Sequence, residues 1–175
     1  GHVSLSGLTE LFPPASRSAY VEIDLAAGGT LDLSSLTTIH GAGGYTFLDI
    51  HAGSTVSLPA LTTAEDLLLR VDGGGQISVN GAQPVSYASN GLVFATNYVF
   101  SAIDAGSSLD LSSIDSWDGS YTHTTSGAIS QLVLADGGSI DLSGLATIVS
   151  PTNPEDRLDF TTRNGGSILL TALTS

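Results

Sequence analysis

The sequence predicts an all-β chain wound as a right-handed parallel β-helix, or β-solenoid, of about seven coils in one domain spanning residues 1–175. Three observations carry this prediction. One Gly-led phrase, GGTLDLSSLTTI at 28–39, returns near residues 52, 73, 105, 136 and 164, and VSLSGLTEL at the start is a copy without its glycines. Apolar residues alternate with polar ones inside each copy, the mark of a strand with one buried face. The spacing between copies is elastic, as in a solenoid whose framework repeats while insertions loop out on one side.

Composition sets the bounds. Hydrophobic residues make up 41% of the chain, too many for a disordered polar polymer, and no apolar run approaches the length of a membrane helix. The 21 glycines and plentiful Ser and Thr favour short strands joined by turns. Four Arg oppose 17 acids, a net charge of −13, which argues against nucleic acid and anionic membrane surfaces as partners. Cations and neutral polymers remain. Without cysteine there is no disulfide framework, and without methionine the chain reads as a piece of a larger protein. Gly1-His2 is excluded from fold reasoning as a scar or processed end.

The first strand of each coil is headed by Val3, Leu31, Val56, Ile77, Leu109, Ile140 and Ile168, in steps of 21 to 32 residues. Two residues later stand Leu33, Leu58, Val79, Leu111, Leu142 and Leu170, apolar again. A third inward position, Leu36, Leu61, Ala82, Ile114, Leu145 and Leu173, comes three later, so the path bends there. Helix is excluded, because the paired glycines cost too much propensity and no apolar stripe is long enough. A second strand precedes the glycines, with Ile23, Leu48, Leu69, Ser101, Leu132 and Phe160 expected inward, followed by Leu25, Ile50, Val71, Ile103, Leu134 and Thr162. Between the strands Gly28, Gly53, Gly74, Gly106, Gly137 and Gly165 occupy one corner, where positive φ and close stacking require a residue without Cβ. Coils of this kind pair as parallel strands, and the chirality of parallel crossovers makes them right-handed. LFPPASRSAY, at 11–20, reads as a loop that caps one end.

These residues resemble the parallel β-helix repeats of bacterial secreted and surface proteins, adhesins and polysaccharide-acting enzymes. The resemblance covers nearly the whole chain, and it is architectural: it specifies a coil and no chemistry. It implies an extracellular or cell-surface location.

Sites can arise only where outward positions stack into columns. One column is expected to read Asp24, Asp49, Arg70, Ala102, Val133, Thr161, and its neighbour Ala26, His51, Asp72, Asp104, Ala135, Arg163. Asp24 and Asp49 would lie about 5 Å apart, where a metal such as calcium or the adjacent Arg70 could neutralise them. Pectate-lyase-like β-helices resemble this layout in their acidic calcium ligands and Arg base, which implies a calcium-dependent polysaccharide lyase or hydrolase using Asp24, Asp49, Arg70 and Asp72. The alternative is a solvated ion ladder of small energetic value, and the lack of lysine weighs against the lyase. Asp110 and Asp141 are expected to be neighbours on the first strand, as an acidic face. Histidines 2, 40, 51 and 123 have no metal-ligand spacing along the chain.

Another column, Glu22, Phe47, Leu68, Phe100, Gln131, Asp159, is apolar where it should be wet. It is either covered by the long excursions at 83–97 and 115–128 or free to bind, and the Phe47/Leu68/Phe100 stripe and the solenoid ends offer surfaces for self-association. The excursions carry Tyr87, Asn90, Asp115, Trp117, Asp118 and Tyr121, a composition suited to a rim that stacks sugar rings and bonds their hydroxyls. The functional expectation is a non-catalytic module binding polysaccharide or another cell-surface glycan through those residues. The alternatives are a structural spacer or adhesin stalk, and the lyase or hydrolase above. No cofactor other than calcium is indicated.

Overall fold

A computed structural model describes residues 1–16, 19–41, 43–89, 91–92, 95–120 and 128–174. In chain order the strands are β1 (His2–Ser4), β2 (Glu10–Leu11), β3 (Tyr20–Leu25), β4 (Thr30–Asp32), β5 (Thr38–Ile39), β6 (Tyr45–Ile50), β7 (Thr55–Ser57), β8 (Thr63–Glu65), β9 (Leu67–Val71) and β10 (Gln76–Ser78). They continue as β11 (Val85–Ala88), β12 (Thr96–Ile103), β13 (Ser108–Asp110), β14 (Ile114–Asp118), β15 (Ser130–Asp136), β16 (Ser139–Asp141), β17 (Thr147–Val149), β18 (Arg157–Arg163) and β19 (Ser167–Leu169). Every third strand stacks on its predecessor. The first sheet runs β1-β4-β7-β10-β13-β16-β19, the second β2-β5-β8-β11-β14-β17 and the third β3-β6-β9-β12-β15-β18. All pairings within them are parallel. The chain is therefore an all-β parallel solenoid of about six turns, one fewer than expected, because two of its three sheets have six strands and only the first has seven. No helix occurs among the described residues.

The recurring phrase gives the first sheet its register. Val3, Leu31, Val56, Ile77, Leu109, Ile140 and Ile168 stand in one column. Leu33, Leu58, Val79, Leu111 and Leu142 are buried behind it. The acid between them has a local role: the Asp32, Asp110 and Asp141 carboxylates accept the backbone N–H of Ser34, Ser112 and Ser143 at 3.0, 3.2 and 2.8 Å, an Asx turn that bends the chain off the sheet. Asp110 and Asp141 pair as neighbours. All six corner glycines have φ between 69° and 90°. At Gly75, Gly138 and Gly166 the residue after the corner packs on the turn below. A Cβ on Gly75 or Gly166 would overlap the Ile50 or Ala135 carbonyl oxygen. Where the second glycine is replaced by Ser54, its hydroxyl instead accepts the Gly29 N–H at 3.0 Å and donates to the Ala26 carbonyl at 2.7 Å, joining one turn to the next.

Two expectations are corrected. The third inward position of the fourth copy is Val85 and not Ala82: Val85 pairs with Ile114 and is buried, whereas Ala82 is exposed. The residues following that position also form a third strand in every turn, where the sequence suggested only a bend and two long excursions. Its inward column runs Leu11, Ile39, Ala64, Tyr87, Trp117, Ile148.

The third sheet slips by one residue at β12. Tyr98 pairs with Leu132 but Phe100 with Val133, so Val99 is an extra residue, a β-bulge. Both Val99 and Phe100 are buried, and the side chains of β12 and β15 swap face relative to the expected columns, while Phe160, Thr161 and Thr162 on β18 keep theirs. The inward series is therefore Leu48, Leu69, Phe100, Val133, Phe160, followed by Ile50, Val71, Ala102, Ala135, Thr162. Ser101 and Leu134 follow Arg70 in the outward column, in place of Ala102 and Val133. Inside, Tyr87, Phe100, Trp117 and Phe160 form one aromatic cluster with centroids 5.0–6.0 Å apart. Its polar edges are satisfied: Trp117 Nε1 donates to Ser89 Oγ at 2.8 Å, Ser89 Oγ donates to Gln131 at 2.5 Å, and the Tyr87 hydroxyl donates to the Leu67 carbonyl at 2.9 Å. These bonds lift the penalty of burying an indole and a phenol.

Candidate functional site

The outer face of the third sheet concentrates the features that could carry function. Tyr20 stacks on Tyr45 across the β3–β6 pair, with centroids 5.0 Å apart and planes at 16°. Phe47 and Leu68 stand side by side on β6 and β9. With Tyr45, Tyr98, Ile103 and Leu134 they line a groove of about 500 Å³ whose polar edges are Arg70, Thr96, Asn97 and Ser101. Tyr98 is 53% exposed and Tyr20 47%, large fractions for aromatic rings. The expected stripe thus survives in part: Phe47 and Leu68 face outward, but Phe100, turned by the bulge, lies in the core and Tyr98 takes the outer position.

An ionic cluster adjoins this groove. The register sets Asp24 beside Asp49 and Asp49 beside Arg70. One residue past the strand ends, His51 and Asp72 meet, with His51 Nδ1 2.7 Å from Asp72 Oδ1. His51 Nε2 lies 3.5 Å from both Asp24 Oδ1 and Asp49 Oδ1. Arg70 closes the ring, donating to Asp49 Oδ2 at 3.4 Å and Asp72 Oδ2 at 3.0 Å. Burial pushes the Asp49 carboxyl above its usual range, against the pull of Arg70 and His51. The hydrogen bond to Asp72 raises the His51 imidazole, with the surrounding carboxylates acting in the same direction. Arg70 is committed to two carboxylates, so it is held as an ion-pair partner and not freed as a base.

Two members of the expected glycan rim are not at the surface. Trp117 and Tyr87 are both 1% exposed in the aromatic core, because 85–88 and 114–118 are stacked strands and not loops. Asp115 is exposed, and Asp118 accepts the Ser120 N–H at 2.9 Å in another Asx turn. Asn90 and Tyr121 lie outside the described residues. The columns read from sequence set His51 beside Asp72, but chain spacing does not mark it as a potential ligand, because Asp72 stands 21 residues away and, like Asp24, on a neighbouring turn. The equal spacing of IDLA and LDIHA about their corners is the signal that sets His51 in the column adjoining Asp24 and Asp49. Comparison of the chain with protein-family models, with curated proteins and with solved structures gives no match.

Proposed function

We propose that the chain is a non-catalytic carbohydrate-binding solenoid module of a secreted or cell-surface protein, and that it holds a neutral polysaccharide along the outer face of the third sheet. The observation that supports this is the groove lined by Tyr45, Phe47, Leu68 and Tyr98. Tyr45 and Phe47 on β6 and Tyr98 on β12, two turns apart at about 4.8 Å per turn with Leu68 between them, offer a stepped platform for sugar rings. Thr96 and Arg70 lie at its margins as hydrogen-bonding groups for hydroxyls. A net charge of −13 disfavours anionic polymers.

Affinity gel electrophoresis against a neutral β-glucan, a mannan and a polygalacturonate tests this. Retardation by at least one neutral polymer is expected, weakened about three- to tenfold in Tyr98→Ala, the worth of one stacked ring. Migration unchanged in all three gels overturns the reading.

A second reading, a spacer or adhesin stalk, is favoured by the apolar side chains exposed in the terminal turns, Val3 and Leu5 in one and Leu169 and Leu173 in the other. Self-association through these ends would appear as a concentration-dependent sedimentation coefficient, and a strict monomer rejects it.

A further inference from the structure

The ionic cluster beside the groove has the composition of a metal centre. Asp49, His51 and Asp72 each offer a donor atom, and the three atoms lie within 4.8 Å of one another. Three acids around one imidazole could be no more than a surface ion network, so the decisive feature is Asp49. Its residue is 8% exposed, its Oδ1 is buried, and that atom accepts no hydrogen bond. A buried carboxylate oxygen without a donor is costly, and His51 Nε2 stands 3.5 Å away.

The imidazole is oriented as a ligand would be. Asp72 Oδ1 at 2.7 Å fixes the proton on Nδ1, which leaves the Nε2 lone pair directed at Asp24 and Asp49. Ligands bound at about 2.0–2.1 Å to a tetrahedral ion lie about 3.3–3.4 Å apart, close to the 3.5 Å separations of Nε2 from the two carboxylate oxygens; Asp24 lies outside the group of three donors that converge within 4.8 Å, so its exposed carboxylate has to rotate toward Asp49 to complete the set. Charge agrees as well. Asp24, Asp49 and Asp72 against Arg70 leave two negative charges beside a neutral ring, which one divalent cation would balance.

We propose that Asp49 Oδ1 and His51 Nε2, joined by the exposed Asp24 carboxylate, bind one divalent transition-metal ion such as Zn²⁺, with Asp72 as the positioning residue behind the imidazole. The nitrogen donor separates this ion from calcium, which takes six to eight oxygens and has no use for an imidazole. The site is independent of the glycan reading, although Arg70 borders both.

Co²⁺ titration of metal-free protein in a His2→Ala background is the test, since the amino terminus and His2 could bind metal on their own. One equivalent is expected to give visible d–d absorption, displaced by Zn²⁺ and not by an equal concentration of Ca²⁺. His51→Gln should lose the band. Asp24→Asn, on an exposed side chain that leaves packing untouched, should weaken binding at least tenfold, and Asp72→Ala ten- to a hundredfold with a shifted band, as for the partner of a ligating histidine. An imidazolium locked among the carboxylates is the competing state. It predicts no band in the parent protein, and that result, or equal Co²⁺ affinity in the parent and Asp24→Asn proteins, overturns the proposal.

Discussion

Asp66 shows how much a single buried residue can hold in this fold. Its backbone is left-handed, at φ 50°, and its carboxylate is turned inward between two glycines, Gly41 and Gly91. A Cβ at either glycine would press on a carboxylate oxygen, and the Gly91 N–H donates to Oδ1 at 2.8 Å. One donor does not offset the loss of water, so burial raises the pKa to about 6, with Glu65 adding to the shift. The folded state therefore holds a proton that the unfolded chain, with an ordinary Asp, releases near pH 4. Stability from this group is complete below about pH 4, declines as the unfolded state ionises, and levels off above about pH 6. Asp66→Asn removes the titration while keeping an oxygen for Gly91. Chemical denaturation should find the variant more stable than the parent by roughly 2–3 kcal/mol at pH 7 and equal to it at pH 4. A constant difference across that range would mean that the carboxyl is not responsible.

At the scale of the strand, legibility in the sequence followed regularity. Leu31 and its equivalents were placed correctly because each phrase carries the same alternation and the same corner. The second sheet was not, since β2 and β5 are two residues long and show no period, while β11 and β14 sit in segments whose length suggested loops. The bulge at Val99 was invisible for a different reason. VFSAI alternates equally well in either register, and only burial of Phe100 against Tyr87 and Trp117 selects the one adopted. The part of the candidate site that precedes the bulge could thus be read from sequence, namely Asp24, Asp49 and Arg70 in one column, His51 and Asp72 in the next, and Phe47 beside Leu68. Tyr98 and Leu134 could not. If Val99 is an insertion into an otherwise regular strand, deleting it should cost only its own buried side chain, about 1.5–3 kcal/mol. Deleting Val133, which has no slack beside it, shifts Leu134 and all that follows to the wrong face and should prevent folding. Circular dichroism melts of the two deletions make the comparison, and equal loss of structure in both would show that the bulge does not buffer register.

For the whole molecule, stacking makes stability a property of neighbours. Each turn buries its inward side chains against the turn above and the turn below, so interior turns have two partners and terminal ones a single partner. Burial follows this rule. Leu48, Leu69, Phe100 and Val133 in the middle of the third sheet are sealed, whereas Ile23 at one end and Phe160 at the other are only half-buried. The buried tether from Ser89 to Gln131 also lies in the body of the stack. Local opening should then begin at the ends and move inward, with free energies rising toward the global value in β9, β12 and β15. Native-state hydrogen exchange should find the slowest amides in those three strands and progressively faster exchange through β6 to β3 and through β18. The closed aromatic cluster makes the gradient asymmetric, because Trp117 ties β14 to Phe160 on β18 and should slow exchange there relative to β3. Trp117→Leu, which leaves a smaller apolar side chain and removes the indole contact and its bond to Ser89, should erase that asymmetry at the cost of a core cavity. Uniform protection across all six turns would instead mark the solenoid as one all-or-none unit whose ends are held as firmly as its centre.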